Sequence, residues 1–170
     1  MSNPYPVALA LSSRVLRVVI KLNLLVGAGI MALLIVSLIA KATAHLSPKL
    51  SSPMLFIGLL LIMVIGICGV FVVNFVLKRL LVIVETVNTG NPFVTANAVR
   101  LQAIAWALLA LELMHYAVGA IAASVSSAAV PLNIGWGFSL TRWLTVLLLF
   151  VLARVFEEGA RMREELEGTV

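Results

Sequence analysis

The sequence predicts an all-α fold, a transmembrane four-helix bundle forming a single integral membrane domain. Three observations carry this. Hydrophobic residues make up 62% of the 170 residues and charged residues 11%, with a mean hydropathy of +1.15, whereas a soluble domain carries about 25% charge. Four apolar runs, near residues 22–40, 54–77, 101–123 and 140–156, are each about long enough for a helix to cross a hydrocarbon core of ~30 Å. The Lys and Arg residues stand at the ends of these runs instead of forming one soluble patch. That placement marks membrane orientation, and no direct binding of nucleic acid is expected.

The first eleven residues contain Pro4 and Pro6 without periodicity and read as an irregular tail, after which Ser12 or Ser13 offers an N-cap. Arg14, Arg17 and Lys21 follow on one helical face, as expected of a helix start among lipid headgroups. Gly27 and Gly29 in the first span would admit a close neighbouring helix. The basic start, the apolar run and Ala42-Thr43-Ala44 imitate a signal peptide. The run exceeds the usual ~7–15 residues and Lys41 intervenes, so cleavage is not expected.

Ser52 and Pro53 form an N-cap and first-turn pair opening the second span. Its apolar stripe continues through Lys78 and Arg79 by way of Leu77, Leu80, Val84 and Val87, which predicts one helix from Pro53 to Val87 protruding from the membrane. Cys68, the single cysteine, reads as a small buried apolar side chain. Gly90 and Pro92 end this helix. Thr95 is the expected N-cap of the next, with Val94 and Val99 as its hydrophobic staple. The third span precedes a loop with Pro131, and Trp136, Phe138 and Trp143 cluster as an interfacial belt. The fourth continues into a charged helical tail over residues 157–167. Counted by segment, the Lys and Arg residues number three, two, three, one and three, so alternate sides hold nine and three. The positive-inside rule then places both termini and the central stretch, Lys78 to Leu101, in the cytoplasm.

Little in this pattern points to chemistry. Glu112 is the one acidic residue inside a span, with His115 and Gly119 on its face. An ionised carboxylate is costly in lipid, so it must face the protein interior, pair, or carry a proton. It either hydrogen-bonds within the bundle or, with His115, forms an intramembrane proton or ligand site. A di-iron site needs a second Glu-x-x-His and further carboxylates, and a bis-histidine haem needs a second histidine in the membrane. The spans supply neither, so no metal or cofactor is expected. No nucleophile with a base and no phosphate-binding glycine loop can be assembled, and an enzyme is not expected.

Two surfaces invite packing. Ala103, Ala107, Ala110, Met114, Ala117 and Ile121 form a small-residue stripe opposite Glu112, which makes the third span central in the bundle or one side of a homodimer. In the tail, Arg154/Glu158, Glu157/Arg161 and Arg161/Glu165 stand four apart. Leu152, Val155, Gly159, Met162 and Leu166 keep an apolar stripe beyond the membrane, either solvated or a seam for the central stretch or a partner.

The segment GNPFVTANAVRL, with Gly90, Pro92, Phe93, Asn97, Arg100 and Leu101, and the ending FEEGARMREELEGTV resemble the bacterial membrane proteins of domain of unknown function 2975. Met162 and Glu165 stand where that family's pattern has Leu and Asp. The resemblance implies a four-helix inner-membrane protein without an assigned activity, and, as its partner, a small helix-turn-helix transcription regulator. The expected function is a non-enzymatic membrane partner of such a regulator. Its contact surface would be Phe93, Asn97 and Arg100 in the central stretch with Arg161, Met162 and Leu166 in the tail. The alternative is a small transporter or permease-like subunit working through Glu112 and His115.

Overall fold

The computed structural model describes residues 5–43, 53–88, 93–126 and 137–167. Among them the protein is all-α, with helices α1 (Tyr5–Ala42), α2 (Pro53–Asn88), α3 (Thr95–Val125) and α4 (Leu140–Glu167). At 1.5 Å per residue they measure about 57, 54, 46 and 42 Å. Three are long and apolar enough to cross a membrane, over Leu11–Ala42, Pro53–Val87 and Thr95–Val125. Helix α4 has Arg142, Arg154 and Glu157 in or beside its apolar run.

Several helix ends fall as the sequence predicts. Helix α2 opens on Pro53, whose fixed φ suits a first turn, and runs unbroken past Lys78 and Arg79. Helix α4 opens on Leu140, its first turn closed by the Trp143 amide donating to the Ser139 carbonyl at 3.3 Å. Two ends differ. Helix α1 begins at Tyr5, so residues predicted as an irregular tail are helical and Ser12 and Ser13 lie inside the helix. Pro6 is tolerated there because first-turn amides have no intrahelical acceptor. Thr95 is the first residue of α3 and not its cap. The Asn97 amide donates to the Val94 carbonyl at 2.8 Å, while the Thr95 hydroxyl donates to Glu164 Oε1 at 2.9 Å. The signals placed on Ser52, Gly90, Pro92, Pro131 and Trp136 lie outside the described residues.

The chain forms two compact units. The first, Met1–Leu22, Val73–Ala110 and Ser139–Val170, holds a segment of every helix and all the basic residues except Lys41 and Lys49. Its core is Ile83, Leu101, Ile104 and Ala153, with Val76, Leu108, Leu149 and Phe156 packed around it. Helix α4 runs antiparallel to α3, since Trp106 meets Phe150 edge to face at 5.2 Å while Phe93 meets Phe156 at 5.2 Å. Ala153 and Ala160 are buried on the α4 face turned inward, and Gly159 lies beside them. A Cβ on Gly159 would stand 3.1 Å from Phe93 Cδ1, so the small residue lets the ring settle onto the helix. Arg17 on α1 reaches Glu85 on α2 at 3.3 Å.

The second unit, Asn23–Val72 and Leu111–Phe138, is built from segments of α1, α2 and α3. Its helices approach closely through glycine. A Cβ on Gly27 would lie 2.8 Å from Val70 Cγ1, and one on Gly58 2.6 Å from Val125 Cγ1. The Asn23 side-chain amide donates to the Val70 carbonyl at 2.9 Å, fastening α1 to α2 beside Gly27. Nothing lies near Gly29, so only one of the two predicted glycines serves as a contact. Cys68 is exposed, which corrects the expectation that it is buried. It sits on a face of α2 where Val64 and Phe71 are also exposed, as apolar side chains turned to lipid would be. Of the three candidate spans, α3 is the most internally packed, with 22% of its apolar window buried against 6% in α1 and 11% in α2.

Candidate functional site

In the second unit, α3 carries the polar pair read from the sequence. Glu112 is 5% exposed, and Gly119, two turns on, is also buried. His115 is half-buried with its ring 6.1 Å from that of Tyr116. Its Nε2 is enclosed and has no hydrogen-bond partner among the described residues. The helix period brings Glu112 and His115 to one face within a single turn. Among the described residues no three His, Cys, Asp or Glu side chains gather as metal ligands would.

In the first unit, the start of α3 meets the far end of α4. Asn97 is fully buried; its Nδ2 donates to Thr86 Oγ1 on α2 at 2.7 Å, and Arg100 Nη1 donates to its Oδ1 at 2.7 Å. Thr86 Oγ1 in turn donates to the Ile83 carbonyl at 2.7 Å. The sequence reading offered Asn97 the C-terminal helix or another protein as its partner, and in the structure its side chain bonds Thr86 and Arg100 instead. A side chain wholly removed from solvent holds α2 and α3 together across their connection and presents nothing to a partner. Arg100, half-buried, braces the same network. Phe93 is partly exposed, but one face lies on Phe156 and Gly159, so it anchors the central stretch to α4. The bond from Thr95 to Glu164, which the sequence reading missed, is a second tie between the same two elements.

The tail stripe is also revised. The residues of α4 that face inward are Ala153, Phe156, Gly159 and Ala160, whereas Leu152, Val155, Met162 and Leu166 lie on the exposed side. Arg161 pairs with Glu158 at 2.7 Å and with Glu165 at 3.6 Å, and Arg154 pairs with Glu157 at 2.8 Å. Two of these pairs span three residues where four were expected, because both neighbours lie within reach of a long arginine. Such exposed pairs contribute at most ~1 kcal/mol each. The polar sequence signals for Asn97, Thr86 and Asn23 were present, since each interrupts an apolar stretch; their partners, 11 and 47 residues away, are set by helix packing and were not legible.

A family profile described as a protein of unknown function, DUF2975, matches residues 38–170. No curated protein and no solved structure matches the chain.

Proposed function

Because the chain belongs to the DUF2975 family of proteins of unknown function, we propose that it is a non-enzymatic membrane partner that tethers or modulates a cytoplasmic helix-turn-helix transcription regulator. In this reading it lies in the bacterial inner membrane, α4 crosses as a fourth span, and the charged end of the first unit faces the cytoplasm. The observation that supports it most is the outer face of α4. Val155 is 56% exposed and Met162 53% exposed, in line along the helix, with Leu166 exposed one turn further. Phe156 and Gly159 dock the opposite face onto Phe93 of the central stretch. A helix held by one apolar face while presenting another is suited to receive an amphipathic partner helix, and Met162 is adaptable in such a contact. Arg161, tied to Glu158 and Glu165, would border that surface.

The test is affinity purification of the tagged full chain from gently solubilised native membranes, with mass spectrometry of co-purifying proteins. A Met162→Glu variant is compared with the parent, because it charges the outer face and leaves the inner seam intact. Retention of a small DNA-binding protein by the parent and its loss from the variant is the expected result. Recovery of the chain without such a protein refutes the proposal. A second reading, a small transporter subunit, is favoured by the burial of Glu112 beside the enclosed His115 Nε2. There a Glu112→Gln change abolishes transport in reconstituted vesicles while leaving regulator capture intact.

A further inference from the structure

Between α3 and α4 of the first unit lies a cavity of about 160 Å³ lined by both polar and apolar side chains. Thr95, Arg154 and Glu157 line it toward the far end of α4, and Val99, Gln102 and Phe150 continue toward Trp106. Trp106, one turn beyond Gln102 and 58% exposed, stands edge-on to Phe150 and extends the apolar wall.

Charge places this cavity relative to the bilayer. Ala153 packs in one cluster with Ile83 and Leu101. Their neighbours Arg154, Arg79 and Arg100 therefore lie near one level of the first unit, Arg79 being one turn before Ile83. Basic side chains converging from three helices at the end of apolar runs mark the headgroup layer, where their stems lie against apolar surface and their charges reach water. Phe150 and Trp106 then lie on the hydrocarbon side. An occupant must carry an ionic head and a long apolar tail, which is the constitution of a membrane lipid.

The head is specified further. Arg154 Nη1 already donates to Glu157 Oε2 at 2.8 Å, and both side chains are largely exposed, so each keeps capacity for a ligand. A guanidinium suits a phosphate, but the adjacent carboxylate repels a headgroup that is only anionic. A quaternary ammonium would answer the carboxylate without offering it an N–H. We propose that the cavity binds a zwitterionic phospholipid with a primary ammonium headgroup, its phosphate accepting from Arg154, its ammonium donating to Glu157, and an acyl chain lying along Phe150 and Trp106. This site rests on the reading of α4 as a fourth span and is independent of the outer face of α4.

The experiment is native mass spectrometry of the detergent-solubilised full chain titrated with phosphatidylethanolamine, phosphatidylcholine and phosphatidylglycerol of identical acyl chains. The parent protein binds phosphatidylethanolamine about tenfold more tightly than either other lipid, the difference expected of one charge-assisted hydrogen bond. Glu157→Gln removes the preference over phosphatidylcholine, Arg154→Gln weakens binding of all three lipids, and Arg161→Gln, one turn further along, changes neither. Equal binding of the three headgroups by the parent overturns the proposal. So does preference for phosphatidylglycerol, a preference unmoved in both Glu157→Gln and Arg154→Gln, or an equal loss in Arg161→Gln, which would show a diffuse charge effect.

Discussion

A buried amide needs its hydrogen-bonding groups satisfied inside the protein, and the consequence for Asn97 is that its neighbours depend on it in turn. Asn97→Ala removes the acceptor of Arg100 Nη1 and the donor to Thr86 Oγ1, at a position where Asn97 itself is closed to solvent. The expected loss is about 1–3 kcal/mol, measured as unfolding in detergent micelles. Thr86→Val costs a similar amount, but the double variant loses less than the sum because both changes break one bond. Strict additivity would show that the network is not a unit. The sequence marks Asn97 and Arg100 as conspicuous polar residues beside an apolar span, and that much was legible. Whether an amide points inward or outward depends on the rotation of α3 against α2, which no local pattern records. Glu112 differs, because the cost of an exposed carboxylate in lipid favours the interior position that it takes.

Helix by helix, the expectations held at some ends and faces and slipped at others. Pro53 marks the start of α2, while Pro6, which suits a first turn equally well, was read as part of an irregular tail ahead of α1. In α4 the stripe read as either solvated or a seam divides: Gly159 joins Ala153, Phe156 and Ala160 on the inner face, and its large members are exposed. Within the membrane apolar side chains gain little by leaving lipid for protein, so the spans themselves pack where small residues let the backbones approach. This rule gives a prediction for α1. Gly27→Leu drives a side chain into Val70 and destabilises the protein by about 1–3 kcal/mol. Gly29→Leu, two residues on and facing open space, is neutral or mildly stabilising through helix propensity. Thermal unfolding of both in one detergent checks the contrast, and equal effects would refute the packing account. For α4, truncation after Phe156 removes both Gly159 and Glu164, so Phe93 and Thr95 lose partners. Amide exchange at residues 95–100 should then rise by roughly tenfold or more, since a helix start held by tertiary contacts frays when they are removed.

The arrangement of the first unit constrains how the whole chain sits in a membrane. Arg17 near the start of α1 pairs with Glu85 near the end of α2, the start of α3 bonds to the end of α2 through Asn97 and Thr86, and Thr95 bonds to Glu164 near the end of α4. Four chain ends thus meet in one compact unit, and ends in contact occupy one side of a bilayer. The chain must then cross an even number of times or turn back within the membrane after α3, although among the described residues three helices qualify as spans by length and apolarity. Both termini are therefore predicted on the same side, and the surplus of Lys and Arg there, nine against three over the whole chain, selects the cytoplasm. Reporters active on only one side of the membrane, fused in turn to the N-terminus and the C-terminus, read this directly. Both should report cytoplasm. An N-terminus inside with a C-terminus outside would mean that the α3–α4 packing does not survive in the bilayer, and the outer face of α4 would then be out of reach of any cytoplasmic regulator; the reverse would break the Arg17–Glu85 contact instead. Both termini outside would preserve the packing and remove the regulator from consideration, leaving Glu112 and His115 as the region to test.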